Sequence, residues 1–134
     1  MSHDDDLQAL RHAVQRYLDL MYDSDVSRFD RVFHATAQLH GLRGGDLVTL
    51  SAQAYRQAVA DRPSVQSRGL SREDQILLVD FASATQAVVK LRVRWNTAVY
   101  VDQLIYHRVD GEWLITSKGF HIERSERTEP SEPQ

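Results

Sequence analysis

Cysteine is absent from the 134-residue sequence, which removes disulfides, thiolate nucleophiles and cysteine-ligated metals. A surplus of cationic charge is also missing. Sixteen Lys and Arg stand against 19 Asp and Glu, for a formal net charge of −3. Binding a phosphate backbone needs concentrated Lys and Arg, so no nucleic-acid partner is expected. No apolar run approaches the length of a bilayer span, and the opening MSHDDD lacks a basic-then-apolar signal. No membrane partner is expected, and a cytoplasmic location is the default. Internal repeats, a Gly-rich phosphate loop and a nucleophile elbow are lacking too. Hydrolysis through a covalent intermediate is therefore not expected.

What is present is the composition of a globular domain, 42% hydrophobic and 26% charged. The length suits one domain with a real core. Residues 1–122 are read as that domain. Residues 123–134, ERSERTEPSEPQ, are charged with little to bury and are expected to form a disordered tail.

Leu7, Leu10, Val14, Tyr17, Leu18 and Met21 recur at three- and four-residue steps, the apolar stripe of a helix. A second, shorter helix is expected over residues 26–33, burying Phe29, Val32 and Phe33. A strand over residues 37–42 turns at Gly44-Gly45 into a second short strand. Ser51 is a good N-cap for a third helix over residues 52–60, with Leu50 placed to staple onto Tyr55. From Gln75 the period changes, and residues 76–81, 87–95, 100–109 and 113–122 read as strands. Three helices followed by an antiparallel meander is an α+β plan, with the helices on one face of a curved sheet.

One residue in the stretch YVDQLIYHRVDG is out of character. Aspartate is depleted in strands, yet Asp102 alternates with Leu104 and Tyr106. The turn at Asp110-Gly111 pairs Val109 with Glu112, which sets Tyr106 opposite Ile115, Asp102 opposite Gly119 and Tyr100 opposite His121. A turn at Thr97-Ala98 pairs Trp95 with Tyr100 and Val93 with Asp102. One face then collects Val89, Leu91, Val93, Trp95, Tyr100, Leu104, Tyr106 and Ile115. Lys90, Arg92, Arg94 and Lys118 share the other face with Val101, Ile105 and Phe120. The first face must be the covered one, because burying the second would strand several cations. Asp102 is thus expected to point inward. Gly119 would leave a hollow beside it, flanked by Ser117 and His121, with Trp95 and Tyr100 as an aromatic wall. An acid, an imidazole and a hydroxyl around a gap in an apolar face describe a small-molecule pocket.

Asp102 reads equally as a general acid/base or as a carboxylate that accepts core hydrogen bonds. His121 reads as its partner or as a rim histidine. His40 lies near the expected pocket floor. His34 and His40 match no metal-ligand spacing, and no metal or cofactor is expected.

These residues resemble the nuclear-transport-factor-2-like (cystatin-like fold) superfamily, and within it the branch named putative lumazine-binding. The resemblance rests on "YLDLMYDSD", "FHATAQLHGLRGGDLVTLSAQAYRQAV" and "VDQLIYHRVDGEWLITSKGFH", and spans about residues 7 to 122. It implies a cone-shaped α+β fold enclosing a deep pocket. The superfamily includes ketosteroid isomerase, scytalone dehydratase, SnoaL-type polyketide cyclases and plain binding modules. By that resemblance Tyr17 takes the place of a helix-one tyrosine that donates to an oxyanion. The proton-abstracting aspartate of the isomerases would fall near Gly41 and is missing. The outer sheet face would form a homodimer around Val101, Ile105 and Phe120.

The expected catalytic set is Asp102, His121 and Tyr17. The expected ligand contacts are Phe33, His40, Tyr55, Val93, Trp95, Tyr100, Leu104, Tyr106, Ser117 and Gly119. The expected activity is binding of a small organic ligand, either by a cofactor-independent isomerase, dehydratase or cyclase, or by a non-catalytic binding or interaction module.

Overall fold

The structure is a computed structural model and describes residues 3–125 of the chain. Helix α1, His3–Asp23, opens with three aspartates in its first turn, where carboxylates suit the positive end of the helix dipole. Its inner stripe of Leu10, Val14, Tyr17, Leu18 and Met21 is buried, as the three- and four-residue spacing requires. A single 3₁₀ helix, Val26–Arg31, follows in place of the longer second helix. It stops early because Val32 and Phe33 pair with the sheet. The Ile115 amide donates to the Val32 carbonyl at 2.9 Å, and Phe33 stands opposite Ile115. Strand β1 therefore runs Phe33–Arg43, and β2 runs Asp46–Ser51. Helix α2, Ala52–Asp61, is capped by the Ser51 hydroxyl accepting from the Ala54 amide at 3.1 Å. It ends where Arg62 becomes extended ahead of Pro63.

The remaining strands are β3, Asp74–Ser83, β4, Gln86–Trp95, β5, Ala98–Val109, and β6, Glu112–Ser125. They form one six-stranded sheet ordered β2-β1-β6-β5-β4-β3. Every neighbouring pair is antiparallel except β1 and β6, which run parallel. The helices cover one face, where Tyr17 and Met21 meet Leu91, Leu104, Tyr106 and Ile115 in a single core. This is the expected α+β architecture. Residues 123–125, read from the sequence as the start of a tail, continue β6. The rest of that expected tail, 126–134, lies outside the described residues.

Two register details decide which side chains face the helices. The β4–β5 turn is Asn96-Thr97, one residue earlier than expected, because Asn96 accepts a φ of 57° that most side chains resist. Trp95 pairs with Ala98, Val93 with Tyr100 and Leu91 with Asp102. This slides the expected pairing by two residues, an even number, so every side chain keeps its face. Asp102 points inward and is 1% exposed.

The β5–β6 hairpin starts as expected, with Asp110 and Gly111 both at positive φ, Val109 opposite Glu112 and Tyr106 opposite Ile115. The next pair is Ile105 with Ser117, so Thr116 is an extra residue on β6, a β-bulge. One extra residue exchanges the two faces of everything beyond it. Lys118 and Phe120 turn inward and are buried, while Gly119 and His121 are exposed on the outer face and Ser117 is half-buried there. The expected inward placement of Ser117, Gly119 and His121, and the outward placement of Lys118 and Phe120, are both corrected by this bulge.

Gly41 lies beside Phe120 in the parallel pair. A Cβ on Gly41 would overlap the Phe120 ring and come within 2.6 Å of its carbonyl oxygen. A Cβ on Gly119 would meet nothing within 4 Å. Gly41→Ala is therefore expected to lower stability by about 2 kcal/mol through overpacking, measured by urea unfolding, whereas Gly119→Ala leaves the midpoint nearly unchanged. Equal effects from the two changes would contradict the bulged register.

Candidate functional site

The cavity opens between α2, the β1–β2 hairpin and the inner face of β4, β5 and β6. Its volume is about 170 Å³. Val48, Leu50 and Ala58 contribute aliphatic lining. Trp95, Tyr100 and Phe120 form a row of rings along one wall, with successive centroids 6.2 and 6.3 Å apart. Tyr55 closes the row from α2, 5.7 Å from the Trp95 ring.

Asp102 and Lys118 line the inner end. The Lys118 Nζ lies 3.7 Å from Asp102 Oδ2. Tyr17, from α1, donates to the same Oδ2 at 2.5 Å. Lys118 donates to the Tyr55 hydroxyl at 3.0 Å, and Tyr55 in turn donates to Met21 Sδ at 3.4 Å. The ammonium also lies over two rings, 4.5 Å from the Tyr55 centroid and 5.1 Å from that of Tyr17. Asp102 Oδ1 is buried and has no hydrogen-bond partner among the described residues. A carboxyl group held in this way costs free energy unless something further engages it.

Burial pushes the Asp102 carboxyl above the ordinary carboxylate range, although Lys118 and the Tyr17 hydroxyl pull it back down. Burial alone would lower Lys118, but the Asp102 carboxylate and Tyr55 outweigh it and hold the amine protonated above its usual value. Burial and the neighbouring Asp102 charge raise the Tyr17 hydroxyl well above its usual value, so it remains a donor. The site therefore presents a cation, a carboxyl group disposed to hold a proton, and two phenols that fix them.

Of the expected catalytic residues, Asp102 lines the cavity and Tyr17 lies behind it, touching Asp102. His121 does not belong. It lines a shallow groove on the outer face together with His40, Lys90 and Gly119. Of the expected ligand contacts, Tyr55, Trp95 and Tyr100 line the cavity. Val93, Leu104 and Tyr106 are buried in the core without lining it. Phe33 is a core ring as well, stacked on Phe29 with centroids 4.8 Å apart. His40, Ser117 and Gly119 are on the wrong side of the sheet, His40 because it alternates out of phase with the buried Leu39. Lys118, Phe120, Arg43 and Arg62 are members that sequence reasoning missed. The signal for the first two was a change of phase: Trp113 and Ile115 are apolar at odd positions, Phe120 and Ile122 at even ones. Such a change demands one inserted residue between them.

Gly41, where the isomerase-like base would fall, is covered by Phe120, so no side chain could act from that point. Among the described residues no group of three or more His, Asp or Glu is arranged to hold a metal, and no helix is long and apolar enough to cross a membrane.

A six-stranded sheet covered by helices on one face, with a polar cluster at the end of an apolar cavity, is the nuclear-transport-factor-2-like fold. The chain belongs to the putative lumazine-binding family, whose model matches residues 5–121. Solved structures share the fold at low identity. An NTF-2 like protein of unknown function from Silicibacter pomeroyi superposes with a TM-score of 0.82 at 23% identity, over 92% of this chain and 100% of that one. One from Shewanella baltica gives 0.80 at 17%, over 93% and 99%. A ketosteroid isomerase-like protein from Erwinia carotovora atroseptica gives 0.67 at 14%, over 88% and 96%. The human protein named nuclear receptor subfamily 4 group A member 3 is 31% identical over 112 residues, 75% of this chain. The matched region spans only 18% of that receptor's length.

The pairing at the cavity end has a direct consequence. Lys118→Met leaves a buried carboxyl group without its cation and is expected to cost about 3 kcal/mol. Adding Asp102→Asn should recover a large part of that loss in urea unfolding, and strictly additive losses would show that the two groups are not coupled.

The pH dependence has a definite sign. The folded-state pKa of Asp102 is raised, so the folded protein holds this proton more tightly than the unfolded chain. The resulting stability is full below the ordinary carboxylate pKa and is lost as pH rises through the raised value. Stability of the wild type relative to Asp102→Asn should accordingly fall with rising pH across that window. A difference that rises or stays flat would refute the assignment.

Proposed function

We propose that the cavity binds a small, flat organic molecule and that Asp102 moves a proton on it, in a cofactor-independent isomerase or lyase. The observation that carries this reading is the unpartnered Oδ1 of a buried carboxyl group at the end of an apolar cavity. Buried, perturbed carboxyl groups concentrate at functional sites because fold stability alone does not favour them.

The geometry supports one set of roles. Oδ1 is the free acceptor, so a proton leaving a substrate carbon passes to it, and the electron pair left behind becomes an enolate. Lys118, protonated and buried, stabilises that developing negative charge. Its raised pKa makes it a poor amine nucleophile, which argues against a Schiff base. Protonated Asp102 then returns the proton, either to another carbon in isomerisation or to a departing hydroxide in dehydration. Tyr17 acts through Asp102: its hydroxyl is committed to Oδ2, so it positions the carboxyl group instead of meeting a ligand oxyanion.

A second reading, association through the outer sheet face, has its own support. Val101 and Ile105 are half-buried on that face, and Leu78 on edge strand β3 is 51% exposed. Such a surface suits a second copy of the chain. Phe120 is buried and lines the cavity, so it does not give that face an exposed apolar centre. Arg92 is engaged there by Glu123 at 2.9 Å and by Gln75 at 2.9 Å. The cytoplasm as the site of action belongs to the same set of proposals.

Proton exchange tests the catalytic reading. Cyclic ketones incubated with the protein in D₂O should exchange their α-hydrogens, followed by proton NMR. Asp102→Asn should slow the exchange by about a hundredfold or more, the usual scale of general acid/base catalysis. His121→Ala should leave the rate unchanged. Exchange that survives Asp102→Asn would reduce the site to a binding pocket.

A further inference from the structure

The cavity is electrically unlike the protein that contains it. The whole chain carries a formal net charge of −3, yet the ionisable side chains with fixed charge around this one opening are Arg43, Arg62 and Lys118, against the single carboxyl group of Asp102. Lys118 is already engaged by Asp102 and Tyr55 at the inner end. The two arginines are not balanced in this way. Neither is ion-paired to any carboxylate among the described residues. Among the described residues Arg62 donates one long hydrogen bond, 3.4 Å to the Ala58 carbonyl.

Their placement is ordered by the aromatic wall. Arg62 lies over Trp95, its guanidinium carbon 5.6 Å from the ring centroid. Arg43 lies over Phe120 at 5.9 Å. Trp95, Tyr100 and Phe120 are consecutive in the row of rings, so the guanidiniums bracket it with Tyr100 between them. Burial raises the Tyr100 hydroxyl above its usual value, and Arg43, Lys118 and Arg62 pull it part of the way back down. Stacking on a ring holds the planar fork of an arginine and leaves its N–H edges free, the arrangement that suits a carboxylate.

We infer that the cavity selects an organic anion: a flat, one- or two-ring molecule whose carboxylate sits at the mouth between Arg43 and Arg62. Its body lies along the Trp95–Tyr100–Phe120 wall, and a polar group at its far end meets Asp102 Oδ1 and Lys118. The inference rests on the pocket reading above and adds the charge and orientation of the ligand. It also accounts for two cations being retained at the mouth of an otherwise apolar cavity, where they draw an anion in and repel cationic competitors.

Matched probes test it. Benzoate, 4-hydroxybenzoate and 2-naphthoate are titrated into the full chain beside their neutral amides, with binding followed by amide chemical shifts and tryptophan fluorescence. The carboxylates should bind about tenfold more tightly than the amides. In the Arg43→Gln/Arg62→Gln double variant this preference should collapse to within about twofold. Both arginines are exposed, so the double variant should keep the wild-type fold. An equal or stronger affinity for the amides, or a carboxylate preference that survives loss of both arginines, would overturn the inference while leaving the pocket in place. If neither series perturbs the cavity residues, the inference and the pocket reading fall together.

Discussion

Lys118 meets Asp102 because β6 carries one residue more than β5 between Ile115 and Ser117. Without Thr116 the carboxyl group would face Gly119, with no cation in reach, and Lys118 would stand in water. A lone buried carboxylate is expensive, and a cation at 3.7 Å offsets only part of that cost. The remainder falls to Tyr17 from α1 and Tyr55 from α2, which reach the pair at 2.5 and 3.0 Å. Both helices are thereby tied by polar contacts to the same point of the sheet. The bulge, the ion pair and the two phenols form one unit, and the cavity is the space left in front of it.

The helices, the strands and the inward face of Asp102 are legible in the sequence because each depends on local spacing. The Asp102, Leu104 and Tyr106 alternation lies within one regular strand, so the three share a face whatever their partners. Even the misplaced β4–β5 turn preserved every face, since its displacement is an even number. The partner side of the site was different. Ser117, Gly119 and His121 were assigned by counting along β6 from the turn, and a single extra residue inverts that count. The apolar phase change from Ile115 to Phe120 carried the missing information, but it lay in tension with the expectation that a lysine faces water. Arg43 and Arg62 were not legible at all. Their relevance comes from rings 33 or more residues away in sequence and near in space.

Solved structures share the fold at low sequence identity. A TM-score of 0.82 at 23% identity describes the same backbone path around different side chains. The site here combines a carboxyl group with one free oxygen, a buried ammonium and an entrance flanked by arginines. The histidines that look chemical in the sequence, His40 and His121, share a groove on the opposite face of the sheet, away from the cavity.

The central claim is that Asp102 is a buried carboxyl group whose proton affinity is raised by burial and moderated by Lys118. Carbon-13 NMR of the labelled Asp102 carboxyl carbon across pH measures this directly. A titration midpoint above the ordinary aspartate value of about 3.9 is expected, moving higher still in Lys118→Met as the moderating cation is lost. A midpoint at or below the ordinary value, or one indifferent to Lys118, would contradict it.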